Sequence, residues 1–291
     1  PAYDAFTPLL KKNWASIEAV RRETFKYGTE DRHHLDIYFP PTVQTEKTPV
    51  VFWIYGGGFI TGARVLPPPV ETLYPNIGAF FAHQGFITVV ADYRLVCPPW
   101  SAQYPKPVED IRDAVSWVVA HPKELTTSTT PNPDVDSIFL FGNSAGGTHL
   151  GSLVFDTNVI PPDSHLRDRI KGAILIAGLY YNDARSRFEP EMQLYYGDKL
   201  DSHSVISLLR AAKGNGLTKL PKIMLAEAEN EPQAFKEIRK NFQDELNAFL
   251  GESVPLVIAK NHNHISLNCC PSSGVGEEWA IEAAKWIRAN V

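Results

Sequence analysis

Short, continuous apolar runs recur along this chain, and stretches with helical periodicity lie between them. Pro49 to Ile54 is one such run. Phe86 to Ala91, Ile138 to Phe141, Ala173 to Ala177, Ile223 to Ala226 and Leu256 to Ala259 are the others. Runs of strand length without polar alternation suit parallel strands covered on both faces. Helical patterns separate them at Ile77 to His83, Val108 to His121, Thr148 to Phe155, Phe235 to Leu250 and Glu277 to Ala289. In the second of these, Ile111, Val115, Val118 and Val119 share one face. Strand alternating with helix predicts a doubly wound α/β sheet. Ahead of it, Glu23 to Tyr27 and His34 to Phe39 read as two strands around the turn at Gly28, with Leu35, Ile37 and Phe39 on one buried face. The expected sheet therefore has eight strands, mostly parallel.

Three stretches fall outside the alternation. Residues 3 to 22 read as a helix carrying Phe6, Leu9, Leu10, Ile17 and Val20, with its first turn broken at Thr7-Pro8. It has no place in a minimal sheet core and is expected to cap it. Ala63 to Asn76 holds Pro67-Pro68-Pro69 and Pro75 and reads as a long loop. Tyr180 to Asn215 mixes aromatic and charged residues, and Phe188, Met192, Leu194, Tyr195 and Tyr196 need something to cover. Long irregular insertions in a compact domain are often lids or binding loops. No repeat and no Gly/Ser linker divides the chain. Residues 1–291 are read as one domain, with 1–22 and 180–215 as cap or lid elements.

Composition narrows the partners. The chain is 44% hydrophobic and 21% charged, as globular proteins are. A net charge of -5 argues against nucleic acid or an anionic membrane as the main partner. No apolar run approaches the roughly 20 residues that span a bilayer. Residues 1 to 22 carry charges throughout and hold no apolar signal-peptide core. Three cysteines, two of them adjacent, make no disulfide framework, and the chain has no Asn-x-Ser/Thr sequon. Both features favour a reducing, cytoplasmic compartment. No Cys/His set has zinc spacing, so no metal is expected. Oligomeric state is unreadable, a homodimer being merely the commonest assembly.

Gly142-Asn143-Ser144-Ala145-Gly146 lies between a predicted strand and a predicted helix. G-x-S-x-G in that setting is a nucleophile elbow. The turn is so tight that Ser144 is expected in a strained backbone conformation, and side chains at 142 or 146 would collide with neighbouring strands. The helix that follows points its amides and positive dipole end at the reacting centre.

A nucleophilic serine needs a base, an orienting acid and an oxyanion hole. In this fold the order along the chain is Ser, then Asp or Glu, then His. Asn261-His262-Asn263-His264 lies just past the last strand, so either histidine could be the base; His264, at the brink of the next segment, is preferred. The acid should follow the strand at 223–226, where Glu227, Glu229 and Glu231 stand. Glu231, before Pro232 and the helix from Phe235, is preferred, and Glu229 is the runner-up. Gly56-Gly57-Gly58 follows the strand ending at Ile54. Consecutive glycines let a backbone turn its N–H groups into a site without obstruction. The amides of Gly57 and Gly58, with that of Ala145, are the candidate oxyanion donors.

These residues sit in a wider pattern. Ala91-Asp92-Tyr93-Arg94-Leu95, then Tyr104-Pro105, Glu109-Asp110 and a helix reaching Trp117, resembles the hormone-sensitive-lipase-like branch of the α/β-hydrolase fold, in which carboxylesterase-like and kynurenine-formamidase-like members lie. The resemblance spans roughly residues 23 to 291, with the glycine loop about 35 residues before Asp92 and the elbow about 50 after it. Three departures stand out. Tyr55 takes the place of the family's usual His, a residue that buttresses the glycine loop. Val96-Cys97-Pro98 replaces the usual A-P-E, and Glu231-Pro232 stands where Asp-Pro is common.

The resemblance implies a serine hydrolase without cofactor, acting through Ser144, His264 and Glu231 on a small-molecule ester, lactone or amide. The pocket walls are expected from 63–76, Trp100, 180–215 and the N-terminal helix, and their aromatic, proline-rich character suggests a medium-sized apolar or aromatic substrate. Two other uses of the same fold compete: non-hydrolytic chemistry such as cyclisation, elimination or acyl transfer, and a binding module that keeps the pocket only.

Overall fold

A computed structural model describes residues 2–181 and 189–291. The strands are β1 (Arg22–Lys26), β2 (His34–Tyr38), β3 (Thr48–Ile54), β4 (Ile87–Ala91), β5 (Pro133–Asn143), β6 (Ile170–Ile176), β7 (Lys222–Ala228) and β8 (Leu256–Ala259). They form one sheet in the order β1-β2-β4-β3-β5-β6-β7-β8. β1 pairs with β2, and β2 with β4, antiparallel; the remaining pairs are parallel. The chemistry of the sequence explains the division. β3 is buried at every position, as a strand covered on both faces must be. β1, at the sheet edge, alternates exposed and half-buried residues, RETFK.

The helices are α1 (Ala2–Lys12), α2 (Trp14–Glu18), α3 (Pro75–His83), α4 (Lys106–Ala120), α5 (Ala145–Phe155), α6 (His165–Arg169), α7 (Glu189–Tyr196), α8 (Leu200–His203), α9 (Val205–Ala212), α10 (Gln233–Leu250), α11 (Ser266–Cys269) and α12 (Glu278–Ala289). α5 lies at the centre of the molecule, buried at all its residues. None of the described helices is long and apolar enough to cross a membrane.

Three expectations change. The helix predicted over 3–22 is two helices, and the break falls at Asn13 rather than at Thr7-Pro8. Pro8 lies inside α1, where it removes one backbone bond, while the Asn13 side chain donates to the Ser272 carbonyl oxygen at 3.0 Å. The predicted helix from Thr148 starts at Ala145 instead, directly after the elbow serine. The insertion predicted as irregular over 180–215 is largely helical, in α7, α8 and α9. Its charges obscure two periodic stripes. Met192, Tyr195 and Tyr196 are buried on α7, and Val205, Leu208, Leu209 and Ala212 on α9. Leu194, expected to need cover, is exposed, and Phe188 lies outside the described residues. α9 packs against α5 so closely that a side chain at Gly151 would meet Val205 Cγ1 at 2.5 Å.

Candidate active site

β5 ends at Asn143 and α5 begins at Ala145, leaving a single residue for the turn. That residue, Ser144, has φ 55° and ψ -122°. Positive φ is costly for a non-glycine residue and persists only where the surroundings impose it. Here the Ser144 amide donates to the Ile176 carbonyl oxygen at 2.8 Å, tying the turn to β6. A Cβ at Gly146 would lie 2.1 Å from the Ile54 carbonyl oxygen of the neighbouring β3. At Gly142 the obstruction is different from the one expected: a Cβ there would meet the Gly146 carbonyl oxygen at 2.3 Å, within the elbow itself.

Three side chains from three loops form a hydrogen-bonded chain. Ser144 Oγ is 2.8 Å from His264 Nε2. His264 Nδ1 is 2.9 Å from Glu231 Oε2 and 3.1 Å from Oε1. A carboxylate accepts only, so Nδ1 carries the proton, and Nε2 is left to accept from the serine hydroxyl. Glu231 is buried, and the Phe235 ring lies 4.8 Å from the His264 ring.

The competing candidates are engaged elsewhere. Glu227, inside β7, receives both Nε and Nη2 of Arg239 at 2.9 Å. Glu229 accepts from the Asn261 amide at 2.8 Å and from Lys260 at 3.1 Å, which lowers its pKa. His262 spans Ser266 Oγ (3.0 Å) and the Gly276 carbonyl oxygen (2.8 Å). These contacts brace the loop on which His264 sits, and the Asn230 amide joins the two loops by donating to the His262 carbonyl oxygen at 2.8 Å.

Among the described residues, the amides of Gly57 and Gly58 donate to no backbone acceptor, and both glycines line the cavity that holds Ser144. The Ala145 amide belongs to the first turn of α5, whose N–H groups have no partner within the helix. Tyr55 buttresses this loop, as its position implies. Its hydroxyl donates to Asp92 Oδ1 at 2.8 Å and accepts from Arg32 at 2.6 Å, and its carbonyl oxygen accepts from Tyr93 at 2.7 Å. Burial, with Asp92 adding to it, pushes the Tyr55 hydroxyl's pKa well up.

Sequence reasoning missed three supports. Asn268 Nδ2 donates to Asn143 Oδ1 at 3.0 Å and to the His264 carbonyl oxygen at 3.3 Å, tying the histidine loop to the elbow. Asn76 accepts from the Tyr74 amide (2.9 Å) and donates to the Asn268 and Pro271 carbonyl oxygens (2.9 Å each). It thereby holds Tyr74 at φ 75° in the cavity wall. Tyr195 of α7 stacks on Phe59, the residue after the glycine loop, at 4.5 Å and shares a 3.0 Å hydrogen bond with His149. Buried asparagines and a tyrosine have no spacing rule, so only their proximity in the fold reveals them.

The cavity measures about 270 Å³. Tyr3 from α1, Leu73 and Tyr74 from the 63–76 loop and Glu191 from α7 contribute to it, as the predicted walls require. Trp100 does not line it; the Arg32 guanidinium lies 4.8 Å over its ring. Burial pushes the nearby Cys269 thiol up to about 12, which removes it as a rival nucleophile.

A mostly parallel sheet with a strained serine after β5, an acid after β7 and a histidine after β8 defines the α/β-hydrolases. The chain has the α/β-hydrolase fold. A family model described as BD-FAE matches residues 35–161. Fumonisin B1 esterase of Sphingopyxis macrogoltabida is 31% identical over 150 residues, 47% of this chain and 25% of that protein. Non-reducing polyketide synthase atr1 of Stereocaulon alpinum is 30% identical over 133 residues, 45% of this chain and 5% of that protein. The chain thus spans a quarter or less of these curated relatives' lengths. Esterase B of Lactobacillus rhamnosis superposes with a TM-score of 0.73 at 17% identity, covering 99% of this chain and 93% of that one.

Proposed function

We propose that the protein is a serine carboxylic-ester hydrolase acting on a small to medium, apolar or aromatic ester, lactone or amide. The observation that carries this reading is the chain Ser144–His264–Glu231, with contacts of 2.8 and 2.9 Å. Ser144 Oγ attacks the carbonyl carbon while its proton passes to His264 Nε2. Glu231 keeps the proton on Nδ1 and stabilises the imidazolium without taking the proton itself. The amides of Gly57, Gly58 and Ala145 receive the oxyanion, each such donor being worth roughly 3–4 kcal/mol in a studied protease. The imidazolium returns its proton to the leaving alcohol, and water, deprotonated by the same histidine, releases the acid from acyl-Ser144. Residues 1–291 act as one domain in this reading, which the continuity of the eight-stranded sheet supports. The free thiols of Cys97, Cys269 and Cys270 support a cytoplasmic setting, and sedimentation would test for a homodimer.

Intact mass after incubation with a fluorophosphonate tests the reading. One adduct on the wild type and none on Ser144→Ala is expected; no adduct on a folded wild type would overturn it. The match to a polyketide synthase favours a second reading, in which an alcohol or amine rather than water takes the acyl group. Product analysis with an added alcohol acceptor separates the two.

A further inference from the structure

The cavity beside Ser144 holds one acidic side chain among its described lining residues, Glu191, and no lysine or arginine. The rest of its lining carries no carboxylate and combines apolar or aromatic residues, including Ile60, Leu73, Tyr74 and Ile265, with neutral polar ones such as Thr61 and Asn268. Glu191 is half-buried, and its Oε2 is buried with no hydrogen-bond partner among the described residues. A carboxylate removed from water is costly unless a charge or donor meets it. The carboxylates that follow β7 have such partners: Glu227 has Arg239, Glu229 has Lys260 and Glu231 has His264.

Glu191 is also firmly placed. It lies four residues before Tyr195 on α7, and residues at that spacing share a helix face. Tyr195 is fully buried, stacks on Phe59 at 4.5 Å, and its carbonyl oxygen accepts from the Tyr104 amide at 2.9 Å. The anchor that seats α7 against the glycine loop therefore sets Glu191 into the cavity one turn away. We propose that Glu191 is a specificity residue, and that the substrate is an ester bearing a protonated amine, whose N–H donates to this carboxylate. Charge-assisted hydrogen bonds of that kind are the strong ones. The Tyr74 and Tyr3 rings in the same wall suit a cation over their faces.

The proposal rests on the hydrolase reading, replaces its apolar substrate with one that carries a cationic group, and is testable apart from it. Two isosteric esters, 2-(dimethylamino)ethyl butanoate and 3-methylbutyl butanoate, differ at pH 7 by one positive N–H in place of a C–H. The wild type is expected to prefer the first by at least about tenfold in kcat/KM, and Glu191→Gln to bring that ratio towards one. Equal rates on the wild type, or a preference that survives the substitution, overturn the proposal. Binding needs no turnover: in Ser144→Ala, saturation-transfer NMR should detect hexylammonium in preference to 1-hexanol, and Glu191→Gln should abolish that preference. Amine selectivity there, with no hydrolysis of either ester by the wild type, would sink the hydrolase reading and keep Glu191. Hydrolysis of both esters without selectivity would do the reverse.

Discussion

The nucleophile and the histidine that touches it are held by different means. On the Ser144 side the geometry is made by backbone. The elbow passes from strand to helix in one residue, its amide is fixed to β6, and β3 lies too close for a side chain at 146. On the His264 side, side chains add to two backbone bonds, from the Asn230 amide to the His262 carbonyl oxygen and from the Glu229 amide to the Ala259 carbonyl oxygen. Glu231, Glu229, His262, Asn263 and Asn268 brace the two loops. Backbone geometry leaves little to substitute, whereas side-chain bracing divides the work among residues of unequal weight. The two halves should therefore fail differently.

The largest effect tests whether they form one catalytic unit. Ser144→Ala is expected to lower kcat on 4-nitrophenyl butanoate by about 10⁶-fold, and Glu231→Gln by about 10⁴-fold. The double variant should be no worse than Ser144→Ala, because the acid acts only through the serine. Glu229→Gln is expected within about tenfold of wild type. Should it fall as far as Glu231→Gln is expected to, the acid is misassigned.

Gly146→Ala tests the backbone half directly. The added carbon meets the Ile54 carbonyl oxygen at 2.1 Å, and neither β3 nor α5 can yield without moving the sheet. A loss of about 4 kcal/mol or more in urea unfolding is expected, since rigid overpacking belongs to the upper tail of single substitutions. A midpoint equal to wild type would show that the elbow is looser than its contacts imply.

The same division explains what could be read from sequence. The elbow is legible because a backbone that admits no side chain leaves glycines at fixed offsets around the serine. β3 to β8 are legible as continuous apolar runs, and β1 and β2 from the turn at Gly28 and the alternation of Leu35, Ile37 and Phe39. On the other half, proximity to the chain's end and to a strand singles out two histidines and three glutamates, yet each could have served. Only the structure separates them, giving Glu227 to Arg239, Glu229 to Asn261 and Lys260, and Glu231 to His264. The 180–215 insertion is misread as irregular because its buried stripes on α7 and α9 are short and interrupted by charges.

His149 extends the comparison to pH. It lies on α5, one turn past the elbow, and burial pushes its pKa down to about 3. Unfolded, a histidine titrates near 6.5, so between these values the unfolded chain binds a proton that the folded one refuses. The stability it contributes is whole above pH 6.5 and is lost as pH falls towards 3. Between pH 7 and pH 4 that loss is on the order of 3 kcal/mol. In His149→Phe the slope of stability against pH should flatten by about one proton, measured by urea unfolding across that range. An unchanged slope would mean that His149 accepts its proton while folded.

Asn268→Ala should give the smallest effect and divides the halves most finely. Besides the Ser144–His264 contact, its amide links the two directly, from the His264 carbonyl oxygen to Asn143 Oδ1. Removing it leaves the elbow's backbone constraints untouched, and Glu231 still orients the imidazole. Loss of a buried hydrogen bond costs roughly 1–2 kcal/mol of stability. Loosening the base by a fraction of an ångström is expected to lower kcat about tenfold, with little change in KM, because only the proton transfer feels it. If KM rises instead while kcat holds, Asn268 shapes the cavity wall rather than the base. The histidine loop would then owe its position to its other braces, Glu229, Asn230, Glu231, His262 and Asn263.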